Sequence, residues 1–244
     1  MDKIIQITVS IFLIVLVGFV AMISYNGYVE TAYRESLTGT YSYTCTITTD
    51  SPLTNVTLFI PVPSDRAGNS PMVSRFSAET MPGVPRDWNT ALFDTGKATL
   101  LKVSVASITL PQGSGPAQPL TISMTSDTAD KVAVNTLDPV ANGVMFRPVQ
   151  DLVQTSCTDV SSGSSKAACY TYTTAVYADY RAAPDANVTF TSTVRGRNSW
   201  QVFGPGSNDY KAEIHLVLTG EHHGWATAAG TLAVGRGDYP LSGS

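Results

Sequence analysis

The sequence predicts an all-β domain that follows one N-terminal transmembrane helix. Residues 4–23 form an apolar run without a charged side chain, and about ten later segments alternate apolar and polar residues with the period of a strand. Only 14% of the 244 residues are charged, against about 25% in an average domain. The spacing of the segments is typical of an antiparallel sandwich, immunoglobulin-like or jelly-roll-like. A division into two sub-domains near residue 150 stays open.

Composition excludes two classes of protein. The chain has 15 Lys+Arg and 19 Asp+Glu, which gives a formal net charge of -4. The positive charges are scattered, so no nucleic acid is expected as a partner. A hydrophobic fraction of 43% with a small net charge argues against a wholly disordered chain.

The apolar run has the length of a membrane span. Twenty helical residues cover about 30 Å, the thickness of a hydrocarbon core. Tyr25, Tyr28 and Tyr33 follow the run, as in the aromatic belt at a membrane interface. A cleaved signal peptide is the alternative, but no small-x-small cleavage site follows the run. We therefore expect residues 1–37 to form an uncleaved anchor that contacts the lipid bilayer through residues 4–23.

Orientation follows from the residues that flank the run. Lys3 is the only cation before it, and the positive-inside rule places that end in the cytoplasm. Asn55 and Asn187 each begin an Asn-Val-Thr sequon for N-glycosylation. We therefore expect a single-pass protein of the cell membrane whose residues 38–244 form an extracellular, glycosylated domain.

The three cysteines also suit an exported protein. Cys157 and Cys169 flank a polar Gly/Ser stretch, and two strands joined by such a loop bring the sulfurs within bonding distance. The sequence therefore predicts a disulfide between them. Cys45 alternates with Tyr43 and Ile47 on one side of a strand pattern, so a buried free thiol is expected there.

The strands are justified in chain order by alternation and by the turn residues between them. Residues 40–49 alternate strictly, and residues 55–62 form a second strand closed by Pro61 and Pro63; the short link between them predicts a hairpin. The other strands are expected at residues 88–94, 97–110, 120–125, 131–134, 170–180, 187–195, 210–219 and 225–234. Two more hairpins are expected, between the strands that start at residues 88 and 97 and between the last two. No helix beyond the anchor is predicted.

Residues 196–210 are the most distinctive part of the domain, with Trp200 and Phe203 beside amides and glycines. Such a segment is typical of a surface that contacts a carbohydrate or a protein. The candidate binding residues are Arg197, Asn198, Trp200, Phe203 and Asn208. Alternatively, Trp200 and Phe203 plug the end of the sandwich while the two asparagines cap turns.

The histidines give a candidate metal site. His215 lies in a predicted strand, and His222 and His223 lie in the turn after it. A metal ion would take His215 with a turn histidine and a nearby carboxylate, Glu213 or Glu221; the alternative is a polar strand face and a polar turn. Signatures of serine hydrolases and phosphate-binding loops are absent, so we expect no catalytic residue and no cofactor.

Several stretches are similar to one group of proteins. They are the apolar run, NVTLFIPVP at residues 55–63, NTLDP at 135–139, and YADY, GRNSWQVFG and TGEHHGWATAAG in the tail from residue 177. With these stretches the chain resembles uncharacterised membrane-anchored cell-surface proteins of methanogenic and related archaea. The resemblance implies a surface location and a β-rich fold, and it implies no activity.

These observations lead to one functional expectation and two alternatives. We expect a non-enzymatic cell-surface protein with a structural or adhesive role, whose partners are surface-layer proteins or glycans. A pilin-like filament subunit, with the N-terminal helix packed into a bundle, is the first alternative. A surface metal-dependent hydrolase that uses His215, His222 and His223 is the second.

Overall fold

The computed structural model describes residues 2–76, 84–85, 87–96, 98–109, 120–127, 133–157 and 166–235. The chain begins with the helix α1 (Asp2–Ser36). An 18-residue window of this helix has a mean hydropathy of 2.7, and none of that window is buried. The predicted apolar helix is therefore confirmed; membrane spans and signal sequences share this character.

Ten strands and two four-residue helices follow in the described part of the chain. They are β1 (Thr38–Thr49), β2 (Leu53–Pro61), α2 (Val73–Phe76), β3 (Asn89–Asp94), β4 (Thr99–Ile108), β5 (Leu120–Asp127), α3 (Pro139–Asn142), β6 (Gln150–Thr155), β7 (Lys166–Arg181), β8 (Asn187–Gln201), β9 (Pro205–Thr219) and β10 (His222–Gly235). The two short helices were not expected. Neither is long enough to be identified from hydrophobic periodicity.

All ten strands belong to one antiparallel sheet. Their order is β3-β4-β2-β7-β10-β9-β8-β1-β5, and β6 pairs with β7 beside this path. The prediction of an antiparallel β domain is confirmed. The sandwich of two separate sheets is corrected to a single sheet that curls into a half-barrel.

The link between β1 and β2 explains the curl. Residues 50–52 join the two strands, and a trans chain advances at most about 3.8 Å per residue, so the strand ends lie within about 15 Å. Four strands separate β1 from β2 in the sheet, which corresponds to about 24 Å across a flat sheet. The sheet must therefore bend. The predicted hairpin of these two strands is wrong, since β1 pairs with β5 and β8 whereas β2 pairs with β4 and β7.

The inner side of the curl holds the apolar core. Every second residue is buried along β1 and β8 and from Asn208 to Leu216 of β9, so the period of two in the sequence reports the inner side. One cluster joins buried side chains from Tyr41 to Val234. The segments around α2 and α3 pack onto this core. Tyr43 packs edge-on against Phe76 at 5.4 Å between ring centroids and lies 6.3 Å from Phe146.

Most strand predictions hold. The hairpins of β3 with β4 and of β9 with β10 are confirmed. Residues 133–134, the described part of the strand expected at 131–134, have no strand conformation. The strand β6 was missed because all its residues are exposed, which leaves no alternating pattern to detect.

The cysteines follow their predictions. Cys157 and Cys169 form a disulfide with an S–S distance of 2.02 Å, and Thr155 pairs with Cys169 in the sheet, so the bridge ties β6 to the start of β7. Cys45 is a free, fully buried thiol. Burial raises its pKa, which keeps the thiol protonated and unreactive.

We predict that Gly230→Ala destabilises the sheet. An added Cβ would lie 2.4 Å from the Tyr172 ring, and such overpacking costs about 1–3 kcal/mol. Gly204→Ala is the matched control, because its Cβ would meet nothing within 4 Å. Urea unfolding of the full chain in detergent, followed by tryptophan fluorescence, measures both free energies of unfolding. Equal values for the two variants would contradict the packing described for Gly230.

Candidate functional site

The distinctive segment at residues 196–210 forms the hairpin of β8 and β9, whose register continues to the pair Gln201–Pro205. This end of the sheet contacts the last turns of α1. The backbone N–H of Gln201 donates a hydrogen bond of 2.9 Å to Ser36 Oγ. The helix is thus tied to the hairpin where the chain enters β1.

Trp200 lies inside this junction. It is 8% exposed, and its ring packs edge-on against Tyr33 at 5.6 Å between centroids. The backbone of β9 approaches closely: a Cβ on Gly206 would lie 2.3 Å from Trp200 Nε1. Glycine at position 206 therefore makes room for the indole, and Trp200 connects the sheet to the helix.

Phe203 lies at the exposed tip of the same hairpin. Its side chain is 69% exposed. The ring stacks on Tyr25 with an interplanar angle of 10° and lies 5.4 Å from Tyr28. Of the two aromatic residues predicted in this segment, one is therefore packed in the junction and the other is presented to the surroundings.

The two asparagines point into the protein. Asn198 accepts a 2.8 Å hydrogen bond from the Val134 N–H and donates one of 2.7 Å to the Val134 carbonyl. Asn208 donates to Thr136 Oγ1 at 2.8 Å. Both side chains are buried, and they hold the segment around residue 135 against the inner side of the hairpin.

Arg197 is the charged member of the predicted binding residues. Its side chain is exposed, and its Nη2 donates a 3.1 Å hydrogen bond to Ser207 Oγ across the hairpin. Arg197 and Phe203 are thus the two predicted binding residues that reach solvent.

The structure does not gather the three histidines. His215 pairs with Ala229 of β10, seven residues along that strand from His222, which corresponds to about 23 Å. His223 Nδ1 lies 2.7 Å from Asp179 Oδ1. Among the described residues, no group of three or more His, Cys, Asp or Glu side chains is arranged to hold a metal ion.

The two sequons differ in their surroundings. Asn55 is exposed on β2 with a positive φ of 54°. Asn187 donates from its backbone N–H and from Nδ2 to the Asp50 carboxylate, both at 2.8 Å, and these hydrogen bonds lower the pKa of Asp50. A glycan on Asn187 would attach at Nδ2, the atom that already donates to Asp50. Asn55 is exposed and therefore accessible. Glycosylation at either residue stays a prediction.

Sequence reasoning missed a second aromatic group, on the outer side of the sheet. We call it the aromatic strip: Phe93, Phe59, Tyr177 and Trp225. Successive ring centroids lie 5.6, 5.4 and 5.5 Å apart in edge-to-face contacts. In the register Tyr177 is directly opposite both Phe59 and Trp225, so the strip crosses the strands from β3 to β10, about 19 Å at the usual spacing.

The strip is exposed at both ends and bordered by polar groups. Phe93 and Trp225 are 52% and 58% exposed, and Lys102 Nζ lies 5.9 Å from the centre of the Phe59 ring. Two residues further along the strands, Thr57, Asp179 and His223 are aligned by the register and form what we call the polar row. The sequence contains one signal for the strip: in the alternation of each strand, the strip residue occupies a position whose side chain points outward.

We predict that Asn198→Ala destabilises the fold. Loss of the amide leaves the Val134 N–H and carbonyl buried without this partner, at about 1–3 kcal/mol for each group. Arg197→Ala, the exposed neighbour, is expected to stay within about 0.5 kcal/mol of the wild type. Urea unfolding measures both, and hydrogen exchange at the Val134 amide reports the bond directly. An unchanged stability for Asn198→Ala would show that the amide does not hold the segment.

Comparison with known proteins assigns no family to this chain. No protein-family model, curated protein or solved structure matches it. Its function must therefore be inferred from the exposed helix, the junction with the β8–β9 hairpin, and the aromatic strip.

Proposed function

We propose that this chain is a single-pass, membrane-anchored cell-surface protein that binds glycans through its aromatic strip and catalyses no reaction. The aromatic strip is the observation that carries the binding role. The exposed apolar helix supports the location, and the resemblance to membrane-anchored surface proteins of methanogenic archaea agrees with it.

The junction favours an anchor over a cleaved signal. Tyr33 packs on Trp200, and Ser36 accepts a hydrogen bond from Gln201, so the end of α1 is part of the domain. Residues 2–36 form one continuous helix, so the apolar run leads without a break into the turns that pack on the domain. A disulfide between Cys157 and Cys169 is also typical of the oxidising environment outside the cytoplasm.

The strip is suited to contact another molecule. Contiguous exposed apolar side chains are uncommon on a soluble surface and mark interaction sites. Trp225 lies near the start of β10, at the end of the sheet opposite the helix junction: β9 runs 15 residues from Pro205 to Thr219, about 50 Å at the usual rise. The strip therefore lies far from the anchored end.

The chemistry of the strip favours a glycan. A sugar ring carries apolar C–H groups on its faces and hydroxyls at its edge, so it combines contacts to aromatic rings with hydrogen bonds. Here a single line of rings lies beside the polar row, in which Asp179 and His223 are 2.7 Å apart. A line one ring wide fits an extended chain of sugars better than the broad apolar centre of a protein interface.

Anchoring is tested in cells that express the full chain. We expect the protein to stay with the membrane after an alkaline wash, and a C-terminal tag to be removed when intact cells are treated with protease. A mature N-terminus after the apolar run, with the protein in the medium, would contradict the anchor. Filaments in electron micrographs would instead favour the pilin-like alternative.

Glycan binding is tested with the Trp225→Ala variant. We expect it to bind a glycan found on an array at least about tenfold more weakly than the wild type, which corresponds to about 1.4 kcal/mol. Val217→Ala is the matched control, because Val217 is also outward-facing and 53% exposed but lies outside the strip. Titration of detergent-solubilised protein measures both affinities.

Two results would contradict this role. Equal losses in the two variants would show that the strip has no special part in binding. Absence of any glycan ligand, together with a surface protein captured by the wild type and lost with Trp225→Ala, would assign the strip to a protein partner.

A further inference from the structure

The tip of the β8–β9 hairpin carries two features that are unfavourable for a domain exposed to water. Phe203 is 69% exposed, and its φ of 54° lies in the left-handed region, where a bulky residue is strained and Asn or Gly is usual. Neither feature contributes to the core. Local strain that a fold retains at an exposed site points to a role outside folding.

The composition of the hairpin keeps the desolvation free energy of contact with lipid small. No charged residue occurs between Arg197 and Asp209, so insertion of the tip desolvates no ionised side chain, which would be the largest cost. Phe203 is flanked at the tip by Val202 and Gly204. The tip is thus an uncharged apolar end between two charged residues.

The position of the tip along α1 is set by three contacts. Gln201 bonds Ser36, Trp200 packs on Tyr33, and Phe203 lies against Tyr25 and Tyr28. With 1.5 Å per helical residue, the Phe203 ring lies about 12–16 Å from Ser36 along the helix, toward its N-terminus. This level is that of Tyr25, two residues after the apolar run ends at Ile23.

We propose that the β8–β9 tip is a second membrane contact, in which Phe203 inserts into the interfacial layer of the bilayer beside the anchor helix. The inference rests on the proposed membrane anchoring. Aromatic side chains concentrate at the depth where head groups meet acyl chains, and Tyr25, Tyr28 and Phe203 form one group at that depth. With the helix as the single membrane contact, helix and domain can together rotate and tilt relative to the bilayer. A helix and a hairpin tip together fix the orientation of the sheet on the membrane.

The test uses the full chain in phosphatidylcholine vesicles with a fluorescent label on a single introduced cysteine. Gly204→Cys places the label beside Phe203, where a Cβ meets nothing within 4 Å. Ile23→Cys is the reference inside the membrane, and Val217→Cys is the reference on the outer side of the sheet. The native cysteines do not interfere, because Cys45 is buried and the other two are bonded.

Lipids that carry a nitroxide at the top of the acyl chain quench labels at that depth. We expect quenching at position 204 to be comparable with that at position 23, and no quenching at position 217. Adding Phe203→Asn to the Gly204→Cys protein is expected to weaken quenching at 204 severalfold, because the inserted ring is lost while the Gln201–Ser36 and Trp200–Tyr33 contacts remain. This substitution suits the left-handed backbone, so the unfolding midpoint should not fall.

Each other outcome overturns the proposal. No quenching at 204 with strong quenching at 23 would leave the anchor intact and exclude the tip. Undiminished quenching at 204 with Phe203→Asn would show that Phe203 is not the inserted group. No quenching at 23 would overturn the membrane anchor itself, and the second contact with it.

Discussion

The three-residue link between β1 and β2 is the constraint on which the shape of the domain depends. It joins strands that four others separate in the sheet, so the sheet has to curl to let the chain connect. Asp50, the first residue of the link, accepts hydrogen bonds from the backbone N–H and the side chain of Asn187 at the start of β8. These bonds fasten the link to the neighbouring strand, and the curl then encloses the apolar side of every long strand around one core.

The curl also determines which surfaces of the domain can contact other molecules. Once the inner side is filled, the described residues offer contacts to other molecules on the outer side, at the edges of the sheet and at the two ends of the strands. At one end β8 and β9 extend to the helix, where Trp200 and Ser36 close the junction. Near the other end the outer side carries the aromatic strip. The separation of these regions follows from the length of β8 and β9, 15 residues each.

The sequence predicts strands better than it predicts their partners. Alternation in β1 and β8 is visible because one side of each strand is buried, and the β3–β4 hairpin is visible because Gly96 permits its turn, with a φ of 74°. The pairing of β1 was not visible, since its partners on β5 and β8 lie more than 70 positions away in the sequence. The candidate binding segment was recognised by composition, but composition does not distinguish Asn198, buried against Val134, from the exposed Arg197. The aromatic strip was missed because its four rings come from four strands, and only the register brings them together.

The exposed rings of the aromatic strip are stabilised on the water-facing side of the sheet by their contacts with one another. In the strip each ring presents its edge to the face of the next, with interplanar angles of 69–81°, an arrangement that is favourable for aromatic quadrupoles. Lys102 lies near the face of Phe59 and keeps a charge beside the apolar line. Phe203 has no such surroundings on the sheet; the rings it contacts belong to α1. The two groups of exposed aromatic residues therefore differ in their physical basis: the strip is stabilised by its own sheet, whereas the tip depends on the helix beside it.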